Sequence, residues 1–230
     1  MSIEQPDLFG FSEVQEVQLQ EEEREKERPF YLSFIDGIKP EEAHLEVEDL
    51  ASLEKQVQNC RKCRLREGCQ HVVFGEGKAD ARLMLVGEGP GMDEDRLGRP
   101  FVGRAGQLLD KILSAAELPR SEVYIANVVK CRPPGNRLPN PDEVQICRTY
   151  LEAQIRLIKP ELLVCLGSLA CRVIINPNVG ITAIRGKWFK RHDIKIIATF
   201  HPAALLRNES YKRPVWEDFK QIRDEYYKRI

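Results

Sequence analysis

The sequence predicts an α/β fold of three layers, α/β/α, with helices on both faces of a four-stranded, mainly parallel sheet. Two observations carry this. Near-continuous apolar runs at 81–87, 123–129, 162–167 and 194–200 have the pattern of strands covered on both faces. Amphipathic helical stretches at 104–117, 141–158, 167–175 and 214–228 alternate with them, and such alternation requires parallel pairing through right-handed crossovers. Ahead of the first strand, Leu45, Val47, Leu50, Leu53 and Val57 recur at helical spacing, so 41–59 reads as the first ordered helix. A chain of 230 residues suits one core of ordinary size plus a tail, divided here into 1–40 and 41–230.

The net charge of −1 conceals two opposed halves. Residues 1–50 hold 15 acidic against 4 basic side chains, and 51–230 hold 31 basic against 21 acidic. A positive body suits a polyanionic partner, nucleic acid being the commonest. The charge run at 21–28 is too poor in apolar residues to pack, and 1–40 reads as a disordered acidic tail. Within it Gln5-Pro6-Asp7-Leu8-Phe9 resembles the short motif by which bacterial DNA-repair and replication proteins dock on the sliding clamp, through Gln5, Leu8 and Phe9. No apolar run approaches the ~18 residues of a membrane span. No basic segment followed by an apolar one marks export, so a cytoplasmic monomer with no membrane partner is expected. Seven cysteines in such a chain argue against a disulfide framework and for metal binding by whichever thiols cluster.

Ligands of a parallel sheet bind at the carboxyl ends of its strands, and the loops there hold the least ordinary residues. The first strand runs into Gly87-Glu88-Gly89-Pro90-Gly91-Met92-Asp93-Glu94-Asp95, with three glycines and four carboxylates. Glycines let a backbone approach a ligand closely, but the acids and the missing lysine argue against a phosphate cradle. Phe101 stands between proline and glycine just ahead of a helix, a flat surface available for stacking. Asn127 is an amide inside the second apolar run. Buried, it must find partners or cost about 1–3 kcal/mol, and its donor and acceptor can read a base edge. The fourth strand ends in His201-Pro202-Ala203-Ala204-Leu205-Leu206-Arg207. Singly, these read as core aromatic, satisfied amide and structural histidine. Gathered on one sheet edge, they make a site.

Together the G-E-G-P-G, R-P-F-V-G-R-A-G, N-V-V-K-C-R-P-P and H-P-A-A-L-L-R segments resemble the family 4 uracil-DNA glycosylases, the iron–sulfur type, over roughly residues 50–228. The resemblance implies that family's fold. It also implies a monofunctional enzyme that flips uracil out of DNA and hydrolyses its N-glycosidic bond, leaving an abasic site for base excision repair. It implies Phe101 stacked on the base, Asn127 paired with uracil O4 and N3–H, and His201 stabilising negative charge at O2. Gly89 and Glu94 would line the pocket, Glu94 shutting out the thymine methyl. Leu205 and Leu206 would wedge into the emptied stack, and Arg207 would hold phosphate. Family 1 relatives position the attacking water with an aspartate. Gly89 stands in that place here, which leaves Glu88 or a backbone-held water.

Cys60, Cys63, Cys131 and Cys147 match the family's ligands for a [4Fe–4S] cluster, and Cys69 lies outside its pattern. By spacing alone, four thiolates hold zinc equally well. Two other readings stand beside hydrolysis. One is a relative that captures uracil-DNA covalently without turnover, which carries a histidine in a basic loop after the second strand that 130–137 lacks. The other is a non-catalytic adaptor bound to DNA and to the clamp.

Overall fold

The structure is a computed structural model and describes residues 47–228. The motif at Gln5, Leu8 and Phe9 and the start of the helix read at 41–59 lie outside the described residues. Helix α1 (Leu50–Gln58) begins where the Asp49 carboxylate accepts from Ser52 N at 2.8 Å, and it buries Leu53 and Val57. The sheet strands follow as β1 (Glu76–Gly77), β2 (Leu83–Gly87), β3 (Val123–Asn127), β4 (Leu162–Leu166), β5 (Trp188–Arg191) and β6 (Ile194–Thr199). Helices α2 (Met92–Leu97) and α3 (Arg104–Ala115) connect β2 to β3, and α4 (Pro141–Ile158) connects β3 to β4. Helices α5 (Ser168–Ile174) and α6 (Ile181–Ile184) follow β4, and α7 (Pro202–Arg207) and α8 (Lys212–Tyr227) follow β6.

The sheet order is β1-β3-β2-β4-β6-β5, with the four central strands parallel and the outer two antiparallel. The sheet therefore has six strands where the sequence predicts four. The four expected ones are the central four. The two additions are edge strands without an apolar run: β1 has two residues, and β5 is largely half-buried or exposed. An edge strand covered on one side needs no continuous hydrophobic run, so this signal misses it.

Side chains alternate across a strand, and the core divides accordingly. Leu83 and Leu85 face one layer with Ile125, Val164 and Ile197, against Leu109 and Leu113 of α3 and Phe219 and Ile222 of α8. Met84 and Val86 face the other with Ala126, Leu163 and Ile196, against α1, α4 and α5. Covering both faces buries every residue of the four central strands except Lys195. Helix α4 starts from Pro141 at its first position and a capping box between Asn140 and Glu143. None of the described helices is long and apolar enough to cross a membrane.

Candidate active site

The carboxyl ends of β2, β3 and β6 open onto a cavity of about 340 Å³. Glu88 and Gly89 line it from the loop after β2, Glu94 from the first turn of α2, and Phe101 from the segment before α3. Asn127 reaches it from the end of β3, and His201 and Arg207 from α7 and its N-terminal cap. Parallel pairing brings these distant residues together. Gly87 and Asn127 are register partners across β2 and β3, so the glycine loop and the amide leave the sheet side by side.

Asn127 is 2% exposed, and its Oδ1 is buried without a hydrogen-bond partner. An unmet buried acceptor costs about 1–3 kcal/mol, and this one faces the cavity. A Cβ at Gly87 would stand 2.5 Å from Asn127 Oδ1 and 2.6 Å from the Phe101 ring, which makes glycine a requirement of the site. Phe101 adopts φ +51°, a conformation that costs a bulky residue strain. Arg120 holds that backbone by donating to Pro100 O at 2.8 Å and Phe101 O at 3.3 Å. The Phe101 ring lies 5.4 Å from the His201 ring, tilted by 31°.

His201 caps α7. Its Nδ1 accepts from Ala203 N at 3.1 Å, which leaves Nε2 as the protonated nitrogen of a neutral ring. Burial, and then the nearby Arg207 guanidinium, bring the His201 pKa down from 6.5 to about 4. Burial raises the Glu88 carboxyl above the ordinary range, opposed by Arg207. A side chain at position 89 would collide with Val129, its Cβ only 2.7 Å from Cγ2, so a carboxylate has no room there. Glu94 lines the cavity with both oxygens engaged: Oε1 accepts from Val102 N at 2.9 Å and Gly103 N at 2.8 Å, and Oε2 from Gly91 N at 3.1 Å. It staples the glycine loop to the Phe101 loop.

The two adjacent leucines part company. Leu206 is 43% exposed beside Arg207, whereas Leu205 is 2% exposed and packs in the core with Phe101 and Phe200. The expectation that both enter DNA is therefore corrected: Leu205 anchors α7, and its neighbour alone faces outward. Sequence reasoning missed Asn136 and Arg137, which line the same cavity. The signal available was the turn-forming Pro133-Pro134-Gly135-Asn136 stretch after β3, folded as a short 3₁₀ turn with φ of +62° at Gly135 and +55° at Asn136. Arg137 then pairs with the buried Glu143 at 2.7 Å, as does Arg64 at 2.8 Å.

Cys60, Cys63, Cys131 and Cys147 come from three separate segments and converge. Cys131 feels the charges of Cys69, Cys147 and Cys63, and Cys147 those of Cys63 and Cys60. Burial pushes the Cys147 thiol up to about 12, and contact with Cys69 and burial raise Cys131 further. Lys130 N donates to Cys147 Sγ at 3.2 Å. Cys131 and Cys147 are buried and Cys60 and Cys63 half-buried, and neighbouring thiols are poor company as anions but good ligands for a cationic centre, so the donor chemistry suits a metal group. Among the described residues, no three His, Cys, Asp or Glu side chains already stand in the geometry of a bound ion. Cys69 is the fifth thiol here, in side-chain contact with Cys131 and donating to His71 O at 3.0 Å.

The chain shares its sequence pattern with known proteins. The uracil DNA glycosylase superfamily matches residues 74–220. The type-4 uracil-DNA glycosylase of Thermotoga maritima is 46% identical over 175 residues, covering 74% of this chain and 90% of the relative. That of Archaeoglobus fulgidus is 41% identical over 186 residues, covering 76% and 92%. That of Sulfurisphaera tokodaii is 42% identical over 187 residues, covering 77% and 85%. Agreement along most of both partners, on a sheet whose carboxyl edge holds all four motif segments, makes this chain a member of the uracil-DNA glycosylase superfamily, in its type-4 branch.

Proposed function

We propose that this chain hydrolyses the N-glycosidic bond of uracil in DNA and leaves an abasic site. The observation that carries the reading is the unpartnered, buried Oδ1 of Asn127, in a cavity shared with Phe101 and a neutral His201. An extruded uracil would stack on Phe101, give its N3–H to Asn127 Oδ1 and accept Nδ2–H at O4. Cytosine offers an acceptor at N3 and a donor at C4, the inverse set, and is refused. Extrusion costs roughly a few kcal/mol. Leu206 is the side chain available to fill the gap, with Arg207 on phosphate.

As the C1′–N1 bond breaks, its electron pair passes to the uracil ring and negative charge grows at O2. The Nε2–H of His201 donates a hydrogen bond to that oxygen and keeps its proton. Water attacks C1′, and its proton passes to Glu88, whose raised affinity for protons suits a base. Glu94, by pinning Gly91, Val102 and Gly103, sets the wall that the thymine methyl would strike.

Cys60, Cys63, Cys131 and Cys147 are the residues that would hold a [4Fe–4S] cluster, which supplies a cross-link between the segment after α1, the loop after β3 and α4. The same proposal has the chain act as a monomer and reach a sliding clamp through Gln5, Leu8 and Phe9. Deleting residues 1–10 would abolish clamp capture and spare excision from short oligonucleotides.

The test is incubation with a uracil-containing oligonucleotide, alkaline cleavage and a denaturing gel. Strand breaks at uracil, with free base released, are expected. Intact DNA would overturn the proposal, and a stable DNA–protein adduct would replace it with covalent capture.

A further inference from the structure

Lys130 is among the bulkiest fully buried side chains, 1% exposed, and the excision chemistry leaves it without a task. A buried ammonium is costly unless its donors are met, so its partners reveal its purpose. Nζ donates to the main-chain oxygen of Asn127 at 2.8 Å and to Gln154 Oε1 at 2.5 Å. Gln154 is braced in turn, its Nε2 donating to Phe74 O at 2.9 Å and Tyr124 Oη at 3.1 Å. The backbone of Lys130 is tied as well: its N donates to Cys147 Sγ at 3.2 Å, and its carbonyl accepts from Val73 N at 2.8 Å. One residue thus links the strand end that carries Asn127 to the helix that carries Cys147.

We propose that Lys130 is a positioning residue for Asn127. Its ammonium, backed by Gln154, clamps the Asn127 carbonyl, and its own peptide fastens that clamp to the cysteine centre. The order of the thiol centre thereby sets where the Asn127 amide points. This inference rests on the reading of Asn127 as the base-edge reader. A methionine of similar volume fills the space but cannot donate, so Lys130→Met isolates the clamp. The reader touches only the extruded base, whereas phosphate contacts hold the DNA, so the loss falls on kcat.

The experiment compares wild-type holoprotein with Lys130→Met and Gln154→Met. Lys130→Met is expected to lower kcat on uracil-DNA by about 10- to 100-fold, the effect of a misplaced reacting group, with KM nearly unchanged and iron content retained. Amide hydrogen exchange gives the second readout. Val128 N–H bonds to Gly87 O at 3.0 Å and Val129 N–H to Glu88 O at 3.1 Å. Both should exchange roughly tenfold faster in Lys130→Met while β4 amides stay protected. Gln154→Met should show the same pattern more weakly, and it decides the matter if Lys130→Met fails to fold. Wild-type exchange at Val128 and Val129, a uniform rise across the sheet, or an effect confined to KM would overturn the clamp. Failure of the wild-type protein to excise uracil would instead sink the glycosylase reading, and the exchange rates would still judge Lys130.

Discussion

The cavity and the cysteine centre flank the short segment from Asn127 to Cys131, yet they are ordered by opposite means. In the cavity the protein supplies everything except the ligand. Glycines at 87 and 89 admit close neighbours, Glu94 staples two loops, Arg120 holds a strained Phe101, and a single acceptor waits. In the cysteine centre the thiols crowd one another: contact with Cys69 and burial keep Cys131 protonated, and burial keeps Cys147 so. The first region is preorganised by packing, the second by the group it would bind. Changes in the cavity should therefore cost rate, and changes in the centre should cost stability.

The sharpest trial of that contrast is Cys63→Ser. It should lose iron and about 3–5 kcal/mol of stability, the worth of a cross-link across a long loop, read by metal analysis and thermal unfolding. A variant that keeps both would erase the distinction. Asn127→Ala is the counterpart: turnover should fall roughly 10²–10³-fold, the scale of removing one preorganised partner, without a lower unfolding temperature, since an orphaned acceptor is removed. Equal losses of rate and stability would assign Asn127 to the core.

Glu143 bridges the two regions. Its carboxylate, fully buried, takes Arg137 from the cavity rim and Arg64 from the segment just after Cys63, and pairing with Arg137 helps hold its pKa at about 2, against an ordinary 4.5. A depressed acid stabilises the fold above pH 4.5 and loses that contribution as pH falls towards about 2. Glu143→Gln should cost roughly 1–3 kcal/mol at neutral pH and flatten the acid limb of the stability curve; an unchanged limb would place the charge elsewhere.

A proton on His201 gives the last test. Because its native pKa is near 4 and its ordinary value 6.5, the unfolded chain binds the proton first, so stability declines as pH drops through that window. Nitrogen-resolved NMR should find Nε2 protonated at neutral pH and titration near 4. A midpoint above 6 would remove the neutral donor from the mechanism.

Much of this was legible in the amino-acid order, for identifiable reasons. Strands buried on both faces announce themselves as apolar runs, which is why β2, β3, β4 and β6 could be read and the half-buried β5 could not. Phe101, Asn127 and His201 were readable because each breaks its local pattern: an aromatic between proline and glycine ahead of a helix, an amide inside an apolar run, and a histidine just past one. Leu205 and Leu206 were not separable: identical neighbours on a single helical turn differ only in which one faces the core. Asn136 and Arg137 drew no notice beyond the missing histidine of 130–137 until the 3₁₀ turn set them on the rim, and Lys130 counted as one more positive charge until burial gave it partners.

Amino-acid order alone establishes the alternation of strand and helix, the edge on which ligands gather, and the family, because hydrophobic period and short motifs are local. Which leucine faces outward, why no carboxylate fits at 89, and how a lysine comes to join an amide to a thiol were decided by packing. Those facts depend on distances between residues far apart in the chain, and no local pattern records them.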